Sequence, residues 1–331
     1  MVELTVVNGT EPFVYGSELQ GRGHVTRTDF VVGISMWMLA LFAIVFGLIN
    51  IYVVRMMPMF QNSFGALWMT RTIGEVGANI VHVVYSAPVT IFQPKGIPPF
   101  VGIISFTIGL HLACIACVCH QVVSTNRMIA VCFPVNYKNI FTKRVTKIII
   151  IYISVEVTIF MALYFVVPCS IIGYSPKFYE YVFIKCRPDV ERNYSLAGTI
   201  INRACFCLCF SASIIDVVTL SRIMYITFGK STLHNNNKNF KRDVRFFGQT
   251  SVQNLTMMVS CTLIVIANNG AKRDTVFVSV LAFHTLIVTH LNNSLALILF
   301  NPEVRNFLGL HFSWLKTTNP STSAESIQQQ R

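Results

Sequence analysis

Histidine and cysteine recur in the segment HLACIACVCH, residues 111–120, and these are ligand types that zinc favours. On a helix, however, His111 and His120 lie about 180° apart, with Cα atoms separated by about 13 Å. They face opposite sides and cannot share one ion. Cys205, Cys207 and Cys209 fail in the same way, because alternate helical residues point about 200° apart. Such cysteines suit the packing of an apolar interior. Catalytic spacings are missing too: there is no Gly-x-Ser-x-Gly, no His-Glu-x-x-His and no phosphate-cradling glycine loop. Glu75, Glu156 and Asp216 are isolated acids in three separate apolar blocks, and the last block has no lysine to form a Schiff base with a retinal-like aldehyde. The sequence therefore predicts no enzyme, no metal and no cofactor. Arg71 and Glu75 differ from the other charges, since i, i+4 spacing stacks them on one helical face. Each ion costs about 2.5–3.5 kcal/mol in lipid, so the two are predicted to pair or to face a protein interior.

The elements that carry these residues are long apolar blocks. The chain is 53% hydrophobic and 12% charged, against about 25% charged in soluble proteins. Residues 31–54, 100–125 and 275–300 contain no Asp, Glu, Lys or Arg. Each is long enough to cross a hydrocarbon core of about 30 Å. Blocks 63–87, 148–167, 199–221 and 246–267 carry at most two charges each. An isolated strand in lipid would leave its backbone unsatisfied, so all seven are predicted to be helices. The fold class is an all-α membrane protein, a seven-transmembrane helix bundle. The third span is predicted to run from Pro99 to Arg127. Val304, Phe307, Leu308 and Leu310 are spaced for a short amphipathic eighth helix within 301–312, and the Ser/Thr/Gln-rich residues from Thr317 on have the composition of a disordered tail.

Lys and Arg set the orientation. The segments 55–62, 126–147, 222–245 and 301–331 hold 15 Lys/Arg against 3 Asp/Glu, whereas 1–30, 88–99, 168–198 and 268–274 hold 9 against 8. The basic set is predicted to face the cytosol, with the N-terminus outside and the C-terminus inside. The organisation follows: 1–30 is an extracellular segment without an apolar leader core, 31–300 is the bundle, and 301–331 is the amphipathic helix and cytoplasmic tail. The net charge of +12 reads as topology and attraction to anionic lipid, not as nucleic-acid binding. Sequons at Asn8 and Asn193 fall outside and are predicted to be glycosylated. Cys169 and Cys186 also fall outside, in an oxidising compartment, and are predicted to form a disulfide worth about 3 kcal/mol for a loop of this length.

Asn126-Arg127, followed by Ala130-Val131 and then by Pro134 and Tyr137, ends the third span in a way that resembles G-protein-coupled receptors. The closer likeness is to the Srx class of nematode serpentine chemoreceptors. It is carried by QNSFGAL (61–67), NRMIAVCFPVNYKNIF (126–141), DVVTLSRI (216–223), RDVRFFGQTSVQN (242–254) and NNSLALILFNPEVRN (292–306), all in order. The resemblance implies a heterotrimeric G protein as partner, contacted through Asn126, Arg127, Pro134 and Tyr137. It also implies a small-molecule ligand and a multi-pass location in the plasma membrane of a sensory neuron, its cilium included. Asn50, Glu75 and Asn293 correspond to an intramembrane polar network. The chain departs from the rhodopsin-like pattern in several places. Asn126 and Met128 replace the Asp and Tyr that flank the arginine, and Asn293-Ser294 stands for Asn-Pro. Gly102 replaces the usual third-span cysteine, and the sixth span has neither Trp nor Pro.

The outer third of the bundle is apolar and aromatic, with His111, Glu156, Arg203 and His284 as its polar groups. Such a mixture suits a small, mostly apolar ligand oriented by one or two polar contacts. Gly109 stands where aminergic receptors place an Asp, which disfavours a biogenic amine. A transporter or channel is the alternative class, but long uninterrupted spans argue against it; a receptor-like protein that does not signal is another. Because position 126 is not an acid, Arg127 lacks an adjacent carboxylate. The reading is a weak resting lock, with more basal activity than an Asn126→Asp variant.

Overall fold

The computed structural model describes residues 13–187, 195–229, 237–269 and 276–317. Side chains are described throughout except in 227–229, 237–246, 268–269, 276 and 310–317. The sequons at Asn8 and Asn193 and the tail beyond Thr317 lie outside the described residues.

Local signals start the helices. α1 (Arg27–Met56) opens on a reciprocal capping box: Thr26 accepts from the Asp29 N–H, and Asp29 accepts from the Thr26 N–H. α2 (Ser63–Val81) is capped by Asn62. It passes through a π-helical turn, His82–Ser86, into α3 (Ala87–Phe92), with helical backbone at both junctions. α4 (Pro99–Cys132) and α5 (Pro134–Ile140) both start on a proline, where its missing N–H has no intrahelical partner to lose. Thr142 caps α6 (Lys143–Val166). An antiparallel hairpin follows, β1 (Ile172–Ser175) with β2 (Glu180–Phe183), pairing Ile172 with Phe183. The chain then forms α7 (Leu196–Gly229), α8 (Asn237–Asn269), α9 (Val276–Phe300) and α10 (Pro302–Thr317). Asn301 accepts from the first free N–H groups of α10.

Among the described residues, six helices are long and apolar enough to cross a membrane: α1, α4, α6, α7, α8 and α9. The second predicted span, α2 through α3, is the composite one, its apolar character diluted by Arg71, Glu75, Asn79 and His82. The third span runs five residues past the predicted end at Arg127, because Pro134 and not the arginine stops it. α1 packs on α2, α3 and α9; α2 on α4; α4 on α6 and α7; α7 on α8; and α8 on α9. α4 is thus central. At Gly74 a Cβ would stand 2.6 Å from the Leu112 carbonyl oxygen, so only glycine allows α2 this close to α4. The bundle is apolar outside, with Phe30, Phe42, Leu48, Ile151 and Phe165 exposed. Inside, apolar clusters surround a polar core in which Arg71, Glu75, Asn79, His120 and Asn293 are buried. Lipid as the solvent produces this inversion.

The hairpin end is held by one carboxylate. Asp29, fully buried, accepts from Arg22 Nη1 (2.7 Å), Tyr179 Oη (2.6 Å) and Gln93 Nε2 (2.8 Å) on one oxygen. Its other oxygen accepts from Thr26 N (2.8 Å) and Thr26 Oγ1 (2.7 Å). Burial, and then the Asp29 bond, push the Tyr179 phenol up from its ordinary value. Gln93 also donates to the Pro176 carbonyl at 2.8 Å. N-terminal segment, α3 and hairpin are therefore tied at one point. Cys169 and Cys186 are disulfide-bonded, with Cα atoms 5.3 Å apart, as the sequence predicts.

Candidate functional site: two cavities and the polar core between them

At the end opposite the hairpin lies a cavity of about 360 Å³ around Arg127, lined by Phe64, Asn126, Tyr137, Asp216, Ile223 and Thr250 among others. Arg127 Nη1 donates to Thr250 Oγ1 at 3.2 Å, and its guanidinium lies 4.9 Å from the centre of the Phe64 ring. Asp216 of α7 interacts electrostatically with Arg127 and accepts from Asn254 Nδ2 at 2.6 Å. Asn254 Oδ1 is also hydrogen-bonded to His120 Nε2. The negative charge that acts on Arg127 thus comes from another helix. Position 126 supplies none, but the fifth span does. Asn126 is buried and bonds the Tyr137 hydroxyl at 3.4 Å, which fixes α5 against the base of α4.

The polar core lies between α2, α8 and α9. Arg71 Nε donates to Glu75 Oε1 at 2.9 Å, the pairing its spacing predicts. Asn293 Nδ2 donates to the same oxygen at 2.7 Å. Arg71 Nη1 reaches Gln253 Oε1 at 3.2 Å, and Gln253 Nε2 donates to the Asn293 carbonyl at 3.2 Å. Asn50 does not join the carboxylate; its Nδ2 donates to the Ser294 carbonyl at 2.9 Å. Asn79 donates to the Glu75 carbonyl at 2.7 Å and is hydrogen-bonded to His290 Nδ1 at 3.1 Å. Sequence reasoning grouped Asn50, Glu75 and Asn293 but left Thr250, Gln253 and Asn254 unassigned. Their signal was the i, i+3, i+4 spacing of polar residues in an apolar span. One face of α8 thus holds Arg127, Arg71 and Asp216 on three different helices.

Toward the hairpin is a mainly apolar cavity of about 330 Å³. Its lining includes Phe106, Tyr164, Tyr181, Arg203 and His290, together with the thiols of Cys114, Cys117, Cys205 and Cys261. Burial pushes the Tyr181 phenol up, so it stays neutral. Of the four predicted pocket residues, Arg203 alone lines this cavity. His284 points about 200° away from the lining residue Leu286 and bonds Ser35 Oγ of α1 at 2.8 Å. His111 is half-buried beside the lining residue Leu110 and faces elsewhere. Glu156, expected in the ligand pocket, is half-buried in a different groove. Its neighbour Val157 takes the inward position.

A bundle of membrane-crossing helices around a polar core, with an arginine-centred mouth at one end and an apolar cavity at the other, defines the class of seven-helix receptors. Squid rhodopsin is similar in architecture: it superposes with a TM-score of 0.68 over 88% of this chain and 87% of that one at 11% identity, a likeness of fold. The family model described as "Serpentine type 7TM GPCR chemoreceptor Srx" matches residues 37–301, and the chain belongs to that family. It is 32% identical over 106 residues to "Serpentine receptor class X 45" of Caenorhabditis elegans, a match covering 30% of this chain and 28% of that protein's length.

Proposed function

We propose that the chain is a chemosensory receptor of the plasma membrane. It takes a small, largely apolar ligand into the cavity under the hairpin and answers by opening the Arg127 mouth to a heterotrimeric G protein. The hairpin end faces outward and α5 and α10 face the cytosol, in keeping with the excess of Lys and Arg in the segments at their end. One observation carries the reading. Four of the five segments that mark the family line a single cavity: Phe64 from the first, Asn126, Arg127 and Tyr137 from the second, Asp216 and Ile223 from the third, and Thr250 from the fourth. The fifth supplies Asn293 to the polar core. A guanidinium held by a hydroxyl, a ring and a carboxylate can be released to bond carbonyl groups of a partner, because it keeps its charge and its planar donors in either setting. His290 lines the ligand cavity and bonds Asn79 of the core, so a ligand has a physical contact with the elements that hold the mouth.

The test is co-expression with a promiscuous G protein and a screen of small volatiles and metabolites. The expected result is a ligand-evoked response that disappears in an Arg127→Ala receptor present at the cell surface. Normal signalling by that variant, or ligand flux without G-protein activation, would overturn the proposal.

A further inference from the structure

Glu156 is the feature the receptor reading leaves unused. It lies thirteen residues into α6 and ten from its end, about 20 Å and 15 Å along the axis, and so near mid-membrane. Its side chain lines a groove of about 430 Å³ between α4, α6 and α7, outside the ligand cavity. Glu156 makes no hydrogen bond or ion pair among the described residues. Hydroxyls nearby are engaged elsewhere: Ser211 Oγ donates to the Leu208 carbonyl at 2.9 Å, and Ser154 Oγ to the Ile150 carbonyl at 3.0 Å. Arg203, one turn along α7 from the wall residue Cys207, lines the ligand cavity instead. The rest of the groove is apolar or thiol, including Val118, Phe160, Ile201 and Leu208.

An unpaired carboxylate at this depth is costly in lipid, and intramembrane ionisable groups mark ligand or ion sites more often than structural ones. We propose that the groove is a second binding site, entered from the bilayer, for a lipophilic amine. Its ammonium pairs with Glu156 and its apolar body lies along Val118, Phe160 and Leu208. Charge complementarity selects the amine, since the groove offers one acid and no other uncommitted polar side chain. The site also touches the first one: Cys114, Ile201 and Cys205 line both the groove and the ligand cavity. An amine in the groove therefore presses on the wall of the ligand cavity and modulates it from the lipid side.

Cys207, an exposed free thiol in the groove wall, gives a direct readout that needs no ligand for the receptor itself. Receptor in lipid nanodiscs is labelled with pyrene maleimide, and the rate at Cys207 is followed by peptide mass spectrometry. N,N-dimethyldodecylamine is expected to slow labelling at least threefold in the native chain, and dodecanol to leave it unchanged. Glu156→Gln is expected to abolish the protection, as is Ala204→Phe, which fills the groove without touching the acid. Equal protection by dodecanol, or protection that survives Glu156→Gln in a receptor still able to reach the cell surface, would overturn the proposal. So would disulfide cross-linking of Cys207 between two receptor copies, which would assign the groove to a second copy of the chain.

Discussion

Replacing Asp216 by Asn should switch the receptor partly on. Asp216 accepts from Asn254 Nδ2 at 2.6 Å and attracts Arg127, which is itself tied to Thr250. Asn keeps the size and one acceptor but loses the charge. A hydrogen bond to a charged group contributes about 1.5–3 kcal/mol and a neutral one about 1. The resting arrangement therefore loses roughly 0.5–2 kcal/mol before the attraction to Arg127 is counted. About 1.4 kcal/mol is tenfold in an equilibrium, so a receptor about 1% active at rest would become about 10% active. GTPγS binding in membranes, normalised to surface receptor, measures this directly without a ligand. Asn126→Asp adds a second acid near Arg127 and should lower the same signal. Basal binding that is unchanged or reduced in Asp216→Asn, at normal surface levels, would refute the idea that Asp216 holds the resting state.

Three further outcomes follow from the geometry. Arg127→Lys keeps a charge but loses the planar stack on Phe64, so it should retain surface expression and lose at least about tenfold in G-protein activation, the scale of one such contact; a snorkelling anchor would lose nothing. Opening the Cys169–Cys186 bridge by a Cys169→Ser, Cys186→Ser double variant should destabilise the hairpin by about 3 kcal/mol, seen as faster amide exchange over residues 171–184. Asp29→Asn removes the counter-charge of Arg22 and weakens up to five hydrogen bonds, costing about 2–3 kcal/mol locally. Proteolysis between Arg22 and Arg27 should quicken while the α4 to α7 packing is unaffected.

The membrane elements were legible because lipid imposes a crude rule: a span of apolar residues without charge must be helical. Arg71 with Glu75 was legible for the same reason, since spacing alone brings the two ions together. The hairpin was not, because its strands, IGYS and EYVF, are four residues each and carry no regular alternation of buried and exposed positions. Asp29 was read as one more external charge, and only the fold could bring Gln93 and Tyr179 to it. The mouth around Arg127 was only partly legible. Asn126 was visible beside Arg127, whereas Asp216 lies ninety residues away and its approach depends on the rotation of α7. Rotation also decided the pocket. His111 and His284 are each one or two residues, or about 100–200°, from Leu110 and Leu286, which face the ligand cavity, while Glu156 lies in a separate groove.

The π-helical turn at His82–Ser86 makes the second span two half-helices on one axis with independent phases. A π turn takes one more residue than an α turn, which offsets everything after it by about 100° relative to an uninterrupted α-helix. Below the turn, Arg71, Glu75 and Asn79 aim at α8 and α9; above it, Thr90 bonds the Tyr174 hydroxyl and Gln93 bonds Asp29. The span is therefore a coupling between two machines, the pinned cap and the polar core. The turn at His82–Ser86 is where the rod passes from one to the other.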